Sequence, residues 1–265
     1  MRKIVIALVG LLILRGGMAT RPAAPEAVAS AKPVAADRPF DTSLYRIDTR
    51  PNVREAKESP LFVEGVAPVL RKAPPGYIPI LQDAFSRLAD AERFRCPIEP
   101  GDYITWTHEA FHGVTALVSP PGGYAIYVGG GRACVFKSHP KVTLAEVAAS
   151  IPKADRGPIF PLYMAEQLRY WNRQPIYVLD EHNAYITGSI ARQQLGWTRR
   201  QETERHAMEM SRYCRAMLAL AKKEDPAWPE MRKLERFLDW QDARLAEVMG
   251  GTRQLASQTG PWPRE

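Results

Sequence analysis

The chain has 265 residues, 45% of them hydrophobic and 25% charged, and a formal net charge of +7. That balance suits a globular protein with a sizeable core and excludes a disordered or fibrous chain. Three of the cations, Arg2, Lys3 and Arg15, lie at the N-terminus and the others are scattered among acids, which argues against a dedicated nucleic-acid surface.

The N-terminus has the layout of an export signal. Met1-Arg2-Lys3 is basic, Ile4–Leu14 is an apolar run, and Gly16–Ala19 supplies small residues for cleavage. The run falls well short of the roughly 20 residues that span a bilayer. Residues 1–19 are therefore expected to be a signal peptide or, if uncleaved, an N-terminal anchor that is the chain's sole membrane contact. The expected location is periplasmic or secreted. Residues 20–38 are rich in Ala and Pro and read as a linker. Large apolar residues begin at Phe40, so a single domain is expected over 39–250, with a flexible tail over 251–265.

Within that domain, residues 76–93 have helical spacing, with Ile80, Leu81, Phe85 and Leu88 on one face. Asp102 is placed to cap a helix running to about Val118, where Ser119-Pro-Pro-Gly-Gly ends it. Tyr124–Val128 and Ala133–Phe136 read as strands joined by Gly129–Arg132, a hairpin. The first strand either pairs internally or offers an edge to an extended peptide. Helices are expected over Lys141–Ser150 and Ile159–Asn172. A short apolar run, Ile176–Leu179, precedes a further helix over Asp180–Leu195. Two long helices, near 199–222 and 229–249, close the domain. The fold class is therefore α+β, mostly helical, with a small hairpin or sheet. Met208, Met210, Met217, Met231 and Met249 fit either an adaptable surface or plain core.

Three cysteines are present. In an exported protein Cys96 and Cys134 are the expected disulfide, because they bracket the motif described next, and Cys214 is expected to be a buried thiol.

That motif is His108-Glu109-Ala110-Phe111-His112. On a helix, residues four apart share a face, so the two imidazoles can point at one zinc ion. Glu109 lies about 100° around the helix, where its carboxylate can take a proton from a zinc-activated water without occupying a ligand position. A catalytic zinc needs a third protein ligand and an open fourth position. Position 118 is Val, so the form with a third His further along the same segment is ruled out. His139, in a Lys-Ser-His-Pro turn, and His206, among charged residues, read as exposed. The segment Asp180-Glu181-His182 instead offers three candidates at the start of a helix carrying the small residues Ala184, Gly188 and Ser189.

At this point the sequence resembles the gluzincin zinc peptidases, a group that includes the thermolysin-like enzymes. In them a downstream helix supplies a Glu ligand, with a small residue three positions on; Glu181 and Ala184 match that spacing. The resemblance covers only the two motif helices. It implies a zincin-like fold, one zinc ion held by His108, His112 and Glu181, and Glu109 as general base. His182 and Asp180 remain alternatives for the third ligand, with Glu181 then supporting an imidazole from behind. Tyr127, Tyr177, His182 and Tyr185 are candidates for stabilising an oxyanion. The implied activity is that of an exported zinc hydrolase, a metallopeptidase acting on a peptide or protein. The alternatives are a zinc-stabilised, non-catalytic binding or scaffold protein of the cell envelope, and a metal-free helical envelope protein.

Overall fold

The computed structural model describes residues 60–89, 102–197 and 202–258, with side chains as far as residue 250. The expected signal or anchor, the linker, the boundary at 39, Cys96 and the end of the chain past 258 lie outside the described residues. Among them, helices dominate and the sheet has two antiparallel strands. None of these helices is long and apolar enough to cross a membrane.

Helix α1 (Pro79–Arg87) begins with a proline, which needs no amide partner in a first turn, and buries Ile80, Leu81 and Ala84. Helix α2 (Asp102–Val118) carries Asp102 in its first turn, where the carboxylate complements the positive end of the helix. Strands β1 (Tyr124–Gly129) and β2 (Arg132–Phe136) form the expected hairpin. Gly129, Gly130 and Gly131 all have positive φ, which glycine alone adopts freely, so the turn depends on this run. Asp83 of α1 accepts hydrogen bonds from the Gly130 amide and the Tyr127 hydroxyl and holds the turn against the helix.

Helix α3 (Leu144–Ser150) opens with a reciprocal capping box between Thr143 and Glu146. A continuous helix is expected over Ile159–Asn172. The chain instead winds into a π-helical segment, Leu162–Glu166, and a short α4 (Leu168–Trp171). The wider turn, closed by the Gln167 amide on the Leu162 carbonyl, brings Tyr163, Met164 and Gln167 inward together.

Helix α5 (Tyr177–Gln194) absorbs the expected separate run Ile176–Leu179 into its first turns. The helix is buried on nearly every side, so its sequence lacks the two-faced periodicity of a surface helix. Helices α6 (Glu202–Glu224) and α7 (Met231–Gln258) pack against it, and α7 continues beyond the expected limit at 249–250. Met208, Met210 and Met217 are core residues. Cys134 and Cys214 are buried free thiols.

The hairpin separates two apolar clusters. Ile126 and Phe136 join α3, α5, α6 and α7 in the larger one, and Tyr127 faces Phe111 and Val114 of α2 with Leu81 of α1 in the smaller. Gly188 lets α5 approach its neighbours closely: a methyl group there would already touch Ile104 of α2 and Thr203 of α6.

Candidate metal centre

Helices α2 and α5 lie side by side, and the motif residues meet in the groove between them. His108 Nε2 stands 3.1 Å from His112 Nε2, and Glu181 Oε2 stands 3.4 and 3.3 Å from the two nitrogens. His108, His112 and Glu181 form a compact group of potential ligand atoms. Their side chains are 14%, 15% and 9% exposed, so the group is recessed but open on one side.

Three observations fit a tetrahedral cation. Ligand distances of about 2.0–2.1 Å imply ligand–ligand edges of about 3.3 Å, and the observed triangle has that size. Glu181 Oε2 is buried, and no donor meets it with hydrogen-bond geometry; a buried carboxylate oxygen without a partner is costly unless something else neutralises it. Asp180 Oδ2 accepts from His112 Nδ1 at 2.7 Å, which leaves the Nε2 lone pair of a neutral ring directed at the group.

Asp180 is itself held. Its Oδ1 accepts from the Thr115 hydroxyl at 2.9 Å, and its Oδ2 accepts also from the Tyr124 hydroxyl at 3.2 Å. Burial, reinforced by Asp180 and Glu181, raises Tyr124 well above the ordinary phenol range, so it remains a donor. Burial favours a neutral His112, but Asp180 and Glu181 together outweigh it and raise its proton affinity. Burial also disfavours the Glu181 carboxylate, yet the facing His112 and His108 hold it down to about 2. The group thus carries an ionised carboxylate between two imidazoles.

Among the three third-ligand candidates, the structure brings Glu181 into the group, places Asp180 behind His112, and turns His182 away. His182 is fully buried toward α7, near Gln241 and Asp242. Asn183, the next residue, donates to the Tyr127 carbonyl at 2.8 Å. Four consecutive polar side chains of α5 are therefore directed at four different surroundings.

The open side is walled by aromatic residues. The Tyr185 ring lies 4.9 Å from that of His108 and 5.3 Å from that of His206 on α6, and its hydroxyl is 2.8 Å from the hydroxyl of Tyr163. Glu109 is half-buried and makes no hydrogen bond or ion pair among the described residues. Its charge is felt at Tyr185. Of the other oxyanion candidates, Tyr127 is bound to Asp83, and Tyr177 stacks on Trp171 and donates to the Tyr163 carbonyl.

Sequence reasoning missed Thr115, Tyr124, Tyr163 and His206. His206 is half-buried rather than solvated, and burial, aided by the nearby His108, lowers its proton affinity against the opposing Glu209 and Glu202. Thr115 carries a legible signal, since it follows His112 by three and shares its helix face. His206 and Tyr163 carry none, because only tertiary packing brings them to Tyr185. The chain matches no protein-family model, no curated protein and no solved structure.

Proposed function

We propose that the chain is a zinc-dependent hydrolase of gluzincin-like type, a metallopeptidase in the simplest form of the reading. One observation carries it: two imidazole nitrogens and a buried carboxylate oxygen that makes no hydrogen bond form a triangle of ligand size, with a second carboxylate, Glu109, next to one of the ligands.

In this reading His108, His112 and Glu181 hold the ion, which when bound supplies Lewis acidity that lowers the pKa of water and polarises a carbonyl. Asp180 fixes the His112 ring. Glu109 takes the proton from the attacking water and passes it to the amide nitrogen as the carbon–nitrogen bond breaks. Tyr185, with Tyr163 behind its hydroxyl, and His206 line the approach and are placed to donate to a developing oxyanion.

Metal analysis with a peptide-hydrolysis assay tests the reading. Purified protein should carry one equivalent of zinc, and His112→Ala should lose it. Glu109→Gln should retain zinc and lose hydrolysis by about 100-fold or more. Zinc in neither protein, or hydrolysis that survives Glu109→Gln, sinks the proposal. Zinc without any hydrolysis in the unmodified chain favours the scaffold alternative.

A further inference from the structure

We infer that this site does not bind its substrate as an added β-strand and holds it instead through contacts with the side chains around the groove. The inference rests on the hydrolase reading above.

Strand addition requires a row of free backbone N–H and C=O groups along a sheet edge. The edge of β1 away from β2 faces the metal-centre helices, and side chains occupy it. In the register of the hairpin, Ala125 and Tyr127 are the residues whose backbone groups point away from β2. The Ala125 amide donates to Ser119 Oγ at 3.0 Å, and the Ser119 hydroxyl lies 3.3 Å from the Ala125 carbonyl. The Tyr127 amide donates to Thr115 Oγ1 at 3.0 Å, and the Tyr127 carbonyl accepts from Asn183 Nδ2 at 2.8 Å. All four outward groups are taken, and Ala125 and Tyr127 are fully buried.

The far edge is occupied as well. Ala133 of β2 exchanges both backbone hydrogen bonds with Val63, and the Val135 carbonyl accepts from Lys233 Nζ at 2.8 Å. Among the described residues, neither strand offers a length of edge to an incoming chain.

Opening the β1 edge would also disturb the metal centre. The Thr115 hydroxyl that accepts from Tyr127 is the one that donates to Asp180, the residue behind His112. Displacing Thr115 from β1 loosens the support of a ligand. What remains for recognition is the side chains beside the group, Tyr185, backed by the buried Tyr163, and His206, which meet a substrate by its groups and not by its backbone.

The test is a binding series on the zinc-loaded full chain. A short peptide hydroxamate, a zinc-chelating probe, is compared with analogues in which each backbone amide in turn is replaced by an ester, which removes one N–H donor with little change of shape. We expect Kd to stay within about three-fold across the series. Weakening of about ten-fold or more at alternating amides is the signature of strand pairing and overturns the inference while leaving the hydrolase reading intact. A chain that takes up no zinc rejects both. A zinc-loaded chain that does not bind the parent hydroxamate rejects the inference, because no peptide then reaches the site.

Discussion

Asp180 Oδ2 accepts a hydrogen bond from His112 Nδ1 at 2.7 Å, joining α5 to α2 directly behind the proposed metal centre. The contact sets the tautomer of a proposed ligand through a residue that touches no metal itself. Much of the behaviour expected of this protein follows from that pair and from what holds it.

Asp180→Asn keeps the shape and removes the charge that favours Nδ1–H on His112. Zinc affinity, measured by competition with a chelating dye, should fall about 10- to 100-fold while the circular dichroism spectrum stays unchanged. Wild-type affinity in a folded variant would remove Asp180 from the account.

Thr115→Val is nearly isosteric and deletes both a donor to Asp180 and the acceptor for the buried Tyr127 amide. Leaving that amide unpaired should lower unfolding stability in urea by about 1–3 kcal/mol. Thr115→Ser restores the oxygen and should recover most of the loss. If Ser does not recover the loss seen with Val, the hydrogen bonds of Thr115 do not account for the effect.

His182 gives a pH prediction. Burial lowers its pKa from 6.5 to about 4, against smaller opposing effects of Asp242 and Gln241. Its folded value lies below its unfolded one, so the unfolded chain takes up the proton first. The resulting stability is present above pH 6.5 and declines as pH falls toward 4. For the metal-free chain, the change in stability between pH 7 and pH 5 should include a loss on the order of 2 kcal/mol from this residue. Comparing that change with the same change in His182→Leu isolates the contribution; equal pH responses in the two proteins exclude it.

The thiols should be inert in the native state. Burial pushes Cys134 up to about 12 and raises Cys214 well above the ordinary thiol value. A Cys96→Ala variant should therefore show no labelling by a thiol reagent at pH 8 until denaturant is added, and should then show two reactive groups. Prompt labelling of the native variant would contradict the burial of one of them.

Local chemistry made part of this legible in advance. The two-histidine motif and the glycine-rich hairpin turn are short-range features whose residues determine their own geometry. The candidate third ligand emerged only as one of three adjacent residues, because helix register decides which of Asp180, Glu181 and His182 faces α2, and register depends on packing. The first turns of α5 read as a separate apolar run for a related reason: a helix enclosed on all sides has no wet face to give it a period. Tyr163 reaches the site through a π-helical turn that the sequence read as ordinary helix, and His206 through a crossing of α6 over α5. Neither is encoded by spacing.

The fan of buried polar side chains at Asp180, Glu181, His182 and Asn183 has a further consequence. Asp180 and Asn183 find hydrogen-bond partners, and Glu181 faces the two imidazoles, at one rotational setting of α5, so turning the helix by a single residue would break these contacts together. A buried polar set of this kind selects one packing arrangement over near-equivalents that apolar side chains would tolerate. It also makes the centre rigid with its surroundings. Occupancy at Glu181 should slow amide exchange around Leu179 and in β1 together, as one cooperative unit, and not as a local tightening of the groove.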